Sequence, residues 1–208
     1  MGITASRRLI RRIMKDNYLI SNYTIKQFKV IPKETNHEKT ENVLNRDFNS
    51  NKAHEILVSD LTYIKVNNKW NYICLIIDLF NREILSYSYG SKKDASLVKE
   101  ALLKINFNLE KVKLFHSDRG MEYKNGELDE ILRVFKINRS LSRAGVPYDN
   151  AVSEAMYNVL KVEFANRRFN SLKQLGMELF EYVNWYNNHR IHGSLNYLTP
   201  AEYALVSV

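Results

Sequence analysis

The chain has 208 residues, 45% of them hydrophobic and 12% aromatic, and a formal net charge of +8. That composition supports a packed core and excludes a disordered or low-complexity chain. The charge is uneven: residues 1–52 carry a net +6 and residues 53–208 only +2, as expected of a basic arm that lies on a polyanion.

Residues 4–19 read as a basic amphipathic helix, with Leu9, Ile13 and Met14 at helical spacing, Ser6 as a candidate cap, and Arg7, Arg8, Arg11 and Arg12 on offer to DNA phosphates. Residues 21–52 are polar, lack apolar periodicity and contain Pro32, so they read as a linker. From Ile56 the pattern changes. Residues 56–66, 70–78 and 82–89 read as strands, and the breaks at Asn67-Asn68 and Asn81-Arg82 suit tight turns, which predicts an antiparallel meander. A helix over 94–106, a strand over 111–116, a helix over 125–135 and a short strand over 136–140 follow. A loop over 142–149, helices over 150–165 and 171–188, and a tail with Gly193, Pro200 and a last short helix complete the chain. This order predicts an α/β fold with a mixed five-stranded sheet flanked by helices. Cys74, the one cysteine, lies in an apolar strand and reads as core, so no intrachain disulfide and no cysteine zinc site is possible. The apolar run there stops at Asp78, far short of a membrane span, and a reducing cytoplasm fits.

Three acids sit where a plain fold would not place charge. Asp60 lies inside the apolar run Ile56 to Val66, and Asp118 opens a Ser-Asp-Arg-Gly turn after a strand. Glu154 lies near the start of a helix, with 57 residues between the first two acids and 35 between the last two. Brought together, the three would repel unless a cation joined them, and an oxygen-only set favours magnesium or manganese. Lys161, seven positions after Glu154, falls on the same helical stripe, while Val152, Met156 and Val159 face the sheet. Asp78 and Asp149 are rival carboxylates: Asp78 is expected to face the other way from Asp60, and Asp149 suits the N-cap of the Glu154 helix. His116 either assists the acids or, more simply, ends its strand. Tyr182, Trp185 and Tyr186 share one helix and read as core or subunit contact, and Arg143, Arg190 and His192 as candidate DNA contacts.

The segments Val58-Ser-Asp-Leu-Thr-Tyr-Ile64, His116-Ser-Asp-Arg-Gly120 and Asp149-Asn-Ala-Val-Ser-Glu154, with Lys161, resemble the retroviral-integrase-like core of bacterial insertion-sequence transposases. The nearest likeness is to the downstream product of the type encoded in two overlapping frames. Trp185-Tyr-Asn-Asn-His-Arg190, His192 and Leu198-Thr-Pro200 extend it. The resemblance implies a ribonuclease-H-like fold and a DDE polynucleotidyl transferase, with Asp60, Asp118 and Glu154 as catalytic metal ligands for Mg2+ (Mn2+ substituting) and Lys161 as a DNA contact. It divides the chain into a remnant of a helix-turn-helix region (1–20), a linker (21–52), the catalytic core (53–170) and a C-terminal helical extension (171–208). It further implies double-stranded DNA as partner, self-association into a homo-oligomer, the upstream-frame product as a further partner, no membrane, and a bacterial, nucleoid-associated cytoplasmic location. Ala155 stands where a serine commonly follows the catalytic glutamate of that group. Two other readings are a catalytically silent DNA-binding fragment that regulates transposition and a ribonuclease-H-like hydrolase of RNA–DNA hybrids.

Overall fold

A computed structural model describes residues 5–17, 19, 40–48, 50–143 and 145–207, which fall into two units: the first helix with its flanks, and everything from Thr40 onward. In the first unit, helix α1 spans Arg7–Asp16. Ser6 caps it, its hydroxyl accepting the Leu9 amide at 3.2 Å, and Lys15 in the last turn complements the helix dipole. Arg7, Arg8, Arg11 and Arg12 are all exposed.

The second unit is a five-stranded sheet in the order β3-β2-β1-β4-β5. Strands β1 (Ile56–Val66), β2 (Lys69–Asp78) and β3 (Ile84–Gly90) form the expected antiparallel meander. Asn67 and Asn68 make the first turn with φ of 46° and 61°, the left-handed pair a two-residue hairpin loop of matching twist requires. Helix α2 (Ala95–Leu103) crosses over to β4 (Leu114–Ser117), and α3 (Gly126–Val134) to β5 (Asn138–Leu141). Strands β4 and β5 run parallel to β1, so the sheet is mixed. Helices α4 (Ala151–Glu163), α5 (Leu172–Asn188) and α6 (Pro200–Val206) follow. None of the described helices is long and apolar enough to cross a membrane.

Alternation along β1 and β2 loads both faces. Val58, Ile64, Leu75 and Ile77 pack with α4 and α5, while Leu57, Cys74 and Ile76 pack with α2 and α3. Cys74 is fully buried, as expected. On α5, Gly176 leaves room for the Tyr89 hydroxyl, which a Cβ would meet at 2.0 Å, so the absent side chain lets α5 close onto β3.

Some boundaries differ from expectation for local reasons. Residues 109–111 form a 3-10 turn in place of the start of a strand, because Asn108 caps it by accepting the Glu110 amide. Lys136, at φ 56°, closes α3 and delays β5 to Asn138. Most of the expected linker lies outside the described residues, but its end packs on the core. Leu44 is buried, its amide donates to the Ser140 hydroxyl at 3.1 Å, and the Thr40 carbonyl accepts from Arg119.

Candidate active site

The register of two parallel strands places the first two acids. Strands β1 and β4 pair only over Ile56↔Leu114, Leu57↔Phe115 and Val58↔His116. Asp60 and Asp118 each lie two residues beyond that last pair, where β4 ends and β1 runs on in mid-strand. Open sheets of this kind receive ligands at such openings. The Asp60 Oδ1 accepts the Leu61 amide at 2.7 Å within β1, and the Asp118 Oδ1 accepts the Gly120 amide at 2.9 Å, so each carboxylate is held by a main-chain amide one or two residues on.

Burial raises the pKa of Asp60, and the charge of Asp118 raises it further. Burial likewise raises that of Asp118, with Glu122 adding to it. Two groups absent from the sequence-based site thus belong to it. Glu122 is buried and forms an ion pair with Lys93 at 2.9 Å. Burial alone would lower the Lys93 pKa, but Glu122, Asp118 and Asp60 together raise it, which keeps the ammonium charged. Glu122 folds back over Gly120, where a Cβ would stand 2.5 Å from its carboxylate, so the glycine of the Ser-Asp-Arg-Gly turn makes room for this fourth acid. Neither Glu122, two residues after a turn glycine, nor Lys93, just before α2, carried a distinctive signal in the sequence.

Glu154 is exposed on α4, as its stripe predicts, and burial raises its pKa while Lys161 lowers it. The structure therefore brings Asp60 and Asp118 together and leaves Glu154 with Lys161. Among the described residues no group of three His, Cys, Asp or Glu side chains is placed to hold a metal ion. The Asp60–Asp118 pair offers only oxygen donors, the kind a hard cation takes, and burial together with neighbouring carboxylates raises its proton affinity. Helix α4 is fastened to this pair through Tyr157, three residues after Glu154. The buried Tyr157 hydroxyl accepts the Leu75 amide at 2.9 Å and donates to the Asp60 carbonyl. Tyr157 and Leu160 join Met156 in the buried face, while Val152 and Val159 are only half-buried.

Both rival acids have structural roles. Asp78 lies on the opposite face of the sheet from Asp60, as expected, and accepts the amides of His54 and Phe80. Asp149 does not cap α4. Arg143 and Arg46 claim its two oxygens at 2.7 Å, with the Arg143 amide at 3.1 Å, and Asn150 is the N-cap, without a side-chain bond. These partners, Arg143 first, hold the buried Asp149 carboxyl well below the usual carboxylate range. His116 is buried, and its pKa is lowered to about 4 by that burial. Its Nε2 faces the Asp149 carbonyl at 3.0 Å, which only accepts, so Nε2 carries the proton and Nδ1 receives the Ser140 hydroxyl at 2.8 Å. His116 thus ties β4 to β5 and to the loop before α4.

Of the expected DNA contacts, Arg143 is half-exposed while paired with Asp149, and Lys161 lies 5.6 Å from the Tyr63 ring. Arg190 and His192, the other candidate DNA contacts, make contacts within the chain. The Arg190 Nε lies 3.0 Å from both Glu163 oxygens, tying the end of α5 to the end of α4. His192 is 8% exposed, edge-on to Tyr186, and burial lowers its pKa to about 4, so it is a neutral packing group and not a cation. Tyr182 and Tyr186 are core residues, and Trp185 is 42% exposed.

Comparison with known proteins converges on the same elements. The integrase core domain family matches residues 50–147, and a second integrase core domain model matches residues 154–206. The chain is 33% identical over 207 residues to the putative transposase InsK for insertion sequence element IS150 of Escherichia coli K12, covering 97% of this chain and 72% of that protein. It is 30% identical over 166 residues to the transposase for insertion sequence element IS904 of Lactococcus lactis, covering 78% and 66%. The fold matches the HTLV-2 integrase catalytic core domain in complex with magnesium (TM-score 0.54, 16% identity, 73% of this chain, 97% of that one). It also matches the catalytic core domain of BIV integrase (TM-score 0.55, 17% identity, 74% and 95%). A mixed five-stranded sheet that opens beside two carboxylates, and relatives of this kind along nearly the whole chain, place it in the insertion-sequence transposases with a retroviral-integrase-like, ribonuclease-H-like core.

Proposed function

We propose that the chain catalyses cleavage and strand transfer of DNA ends with a divalent cation, Mg2+ by preference and Mn2+ in its place. The observation that carries this reading is the half-buried Asp60–Asp118 pair where β4 parts from β1, with a raised proton affinity on both carboxylates. The HTLV-2 integrase core that shares the fold is described in complex with magnesium, which supports the choice of cation.

Asp60, Asp118 and Glu154 are the oxygen donors for the cation. When bound, it supplies the positive centre that makes an oxygen nucleophile available at neutral pH and stabilises the leaving oxygen. Water adds to the end phosphate and the bond to the 3′ oxygen breaks. The freed 3′ hydroxyl then displaces a 3′ oxygen from a phosphate of the target strand. The chain's own groups orient these partners. Tyr157 holds the Asp60 peptide against the helix of Glu154, Lys93 offsets the repulsion among Asp60, Asp118 and Glu122, and Lys161 extends from the Glu154 stripe toward a phosphate. The exposed arginines of α1, together with Arg143, supply sequence-independent attraction to duplex DNA. Work on two DNA ends calls for self-association, and the upstream-frame product is a further candidate partner.

The test is nicking and joining of a duplex that carries the element's own end. Activity with Mg2+ or Mn2+, lost on chelation and in Asp118→Asn, is the expected result. Salt-sensitive DNA binding with no cleavage under any cation would replace this reading with that of a silent regulatory fragment. Cleavage confined to RNA–DNA hybrids would make the chain a hydrolase.

A further inference from the structure

Beyond Asp60, the β1–β2 hairpin carries two large aromatic side chains that the core does not use. Tyr63 is 42% exposed and Trp70 53%. Their rings meet edge to face, with centroids 5.1 Å apart and planes at 88°. A lysine attends each ring: the Lys65 Nζ lies 4.9 Å from the Trp70 centroid, and the Lys161 Nζ lies 5.6 Å from that of Tyr63. In register Lys65 faces Trp70 and Tyr63 faces Tyr72, two residues apart on one face, so the cluster is built by alternate rungs of one hairpin. Hairpin stability alone needs neither the exposed aromatic area nor the two cations over it, since β-branched pairs stabilise a ladder as well. Strand β1 pairs with β4 only as far as Val58 and next meets main chain on that side at the Val66–Phe169 bridge, so no neighbouring strand covers the stretch between.

We infer that Tyr63 and Trp70, with Lys65 and Lys161, form a stacking platform for unpaired nucleotides at the DNA end, next to the phosphate being cut. This deepens the strand-transfer reading and rests on it for the position of that phosphate. The chemistry selects the occupant. Exposed aromatic rings stack on base faces of any sequence, and lysines beside them neutralise the linking phosphates. In a duplex the base faces are already stacked on one another, so only a frayed or single-stranded end presents them. The spacing fits as well. Tyr63 lies three strand residues beyond Asp60, about 10 Å along β1 but on the other face of the sheet, and Lys161, two helical turns or about 10 Å beyond Glu154, reaches the Tyr63 ring. That span equals about three base steps of a stacked strand. Platform and acids are thus offset in the same sense along both the strand and the helix.

The probes are a short blunt duplex and the same duplex with a few unpaired thymines at one end, both with a chelator present so that no cleavage occurs. The overhang is expected to bind more tightly than the blunt end. Trp70→Ala should weaken overhang binding about five- to a hundredfold, the range for loss of one stacked base. It should leave blunt-duplex binding within about twofold, and Trp70→Phe should restore most of the loss. In Trp185→Phe, where Trp70 is the one remaining indole of the chain, the overhang should quench emission and the blunt duplex should not. Equal binding of the two duplexes, or equal loss on both in Trp70→Ala, overturns the platform. So does a Trp70→Ala variant that keeps its overhang preference but loses self-association, which would make the cluster a contact between copies. Intact overhang binding without cation-dependent cleavage counts against the strand-transfer reading alone, and intact cleavage without overhang preference counts against the platform alone.

Discussion

The hydroxyl of Tyr157 sits within a rung of the sheet, between the Leu75 amide and the Asp60 carbonyl. Asp60 and Leu75 are register partners on β1 and β2, so one side chain of α4 completes a main-chain hydrogen-bond pair next to a site acid. Removing that hydroxyl leaves a buried donor and a buried acceptor without it. Tyr157→Phe keeps the ring and should cost about 1–3 kcal/mol in stability, read by urea unfolding. Amide exchange at Leu75 should accelerate, and metal-dependent cleavage should fall more than DNA binding does. Unchanged exchange at Leu75 would show that the hydroxyl does not carry the rung.

Asp60 and Asp118 destabilise each other while no cation is bound. The folded-state pKa of each is raised, so the folded protein binds protons more tightly than the unfolded chain. Their contribution is favourable at acid pH and is lost as the pH rises through the folded values. Burial and Asp118 raise the Asp60 pKa to about 8, so the metal-free fold must protonate it at neutral pH; Asp60→Asn removes that cost and should stabilise the metal-free protein by about 1 kcal/mol or more. The melting temperature of the wild type should rise with Mg2+, and that of the variant should not. A variant less stable than wild type without metal would contradict the assigned repulsion.

Asp149 behaves in the opposite way. Its folded-state pKa is depressed by Arg143 and Arg46, so its stabilisation is present above the ordinary carboxylate range, about pH 4, and fades as the pH falls toward the folded value. Asp149→Asn should cost about 1–3 kcal/mol at neutral pH, the lower end being favoured because both guanidiniums are about half exposed and partly screened. The gap between the urea midpoints of wild type and variant should narrow progressively as the pH falls below about 4. A pH-independent gap would point to lost packing in place of lost charge.

Gly120 and Glu122 are coupled by contact. In Gly120→Ala the new methyl displaces the Glu122 carboxylate from its seat beside Lys93. The single variant should lose about 1–3 kcal/mol, as other overpacked sites do. Adding Glu122→Ala should recover part of that loss, giving a non-additive double-mutant cycle. Additive losses would mean that the two positions do not share space.

The β1–β2–β3 meander and its turns were legible because alternation and paired asparagines are local signals. Each acid was legible as a charge in an apolar or turn context. Glu122, Lys93 and Tyr157 were not, since a glutamate after a glycine, a lysine before a helix and a tyrosine on a helical stripe have many ordinary roles. Asp149 was misread for a related reason. Its sequence position suits a cap, but its oxygens are taken by Arg46, more than a hundred residues away, and by Arg143 across a loop.

By itself, the sequence determined the α/β layer order, the antiparallel hairpins and the candidate acids, because strand and helix periods and turn chemistry act over a few residues. Only the tertiary structure decided which charges meet. The three-residue parallel register of β1 with β4 sets Asp60 beside Asp118, Gly120 admits Glu122 to the same cluster, and the Tyr157 hydroxyl fastens α4 to Asp60. The physical reason is reach: the energies of charges depend on distance through space, and partners such as Lys93 and Glu122 or Asp60 and Tyr157 are 29 and 97 positions apart in the chain.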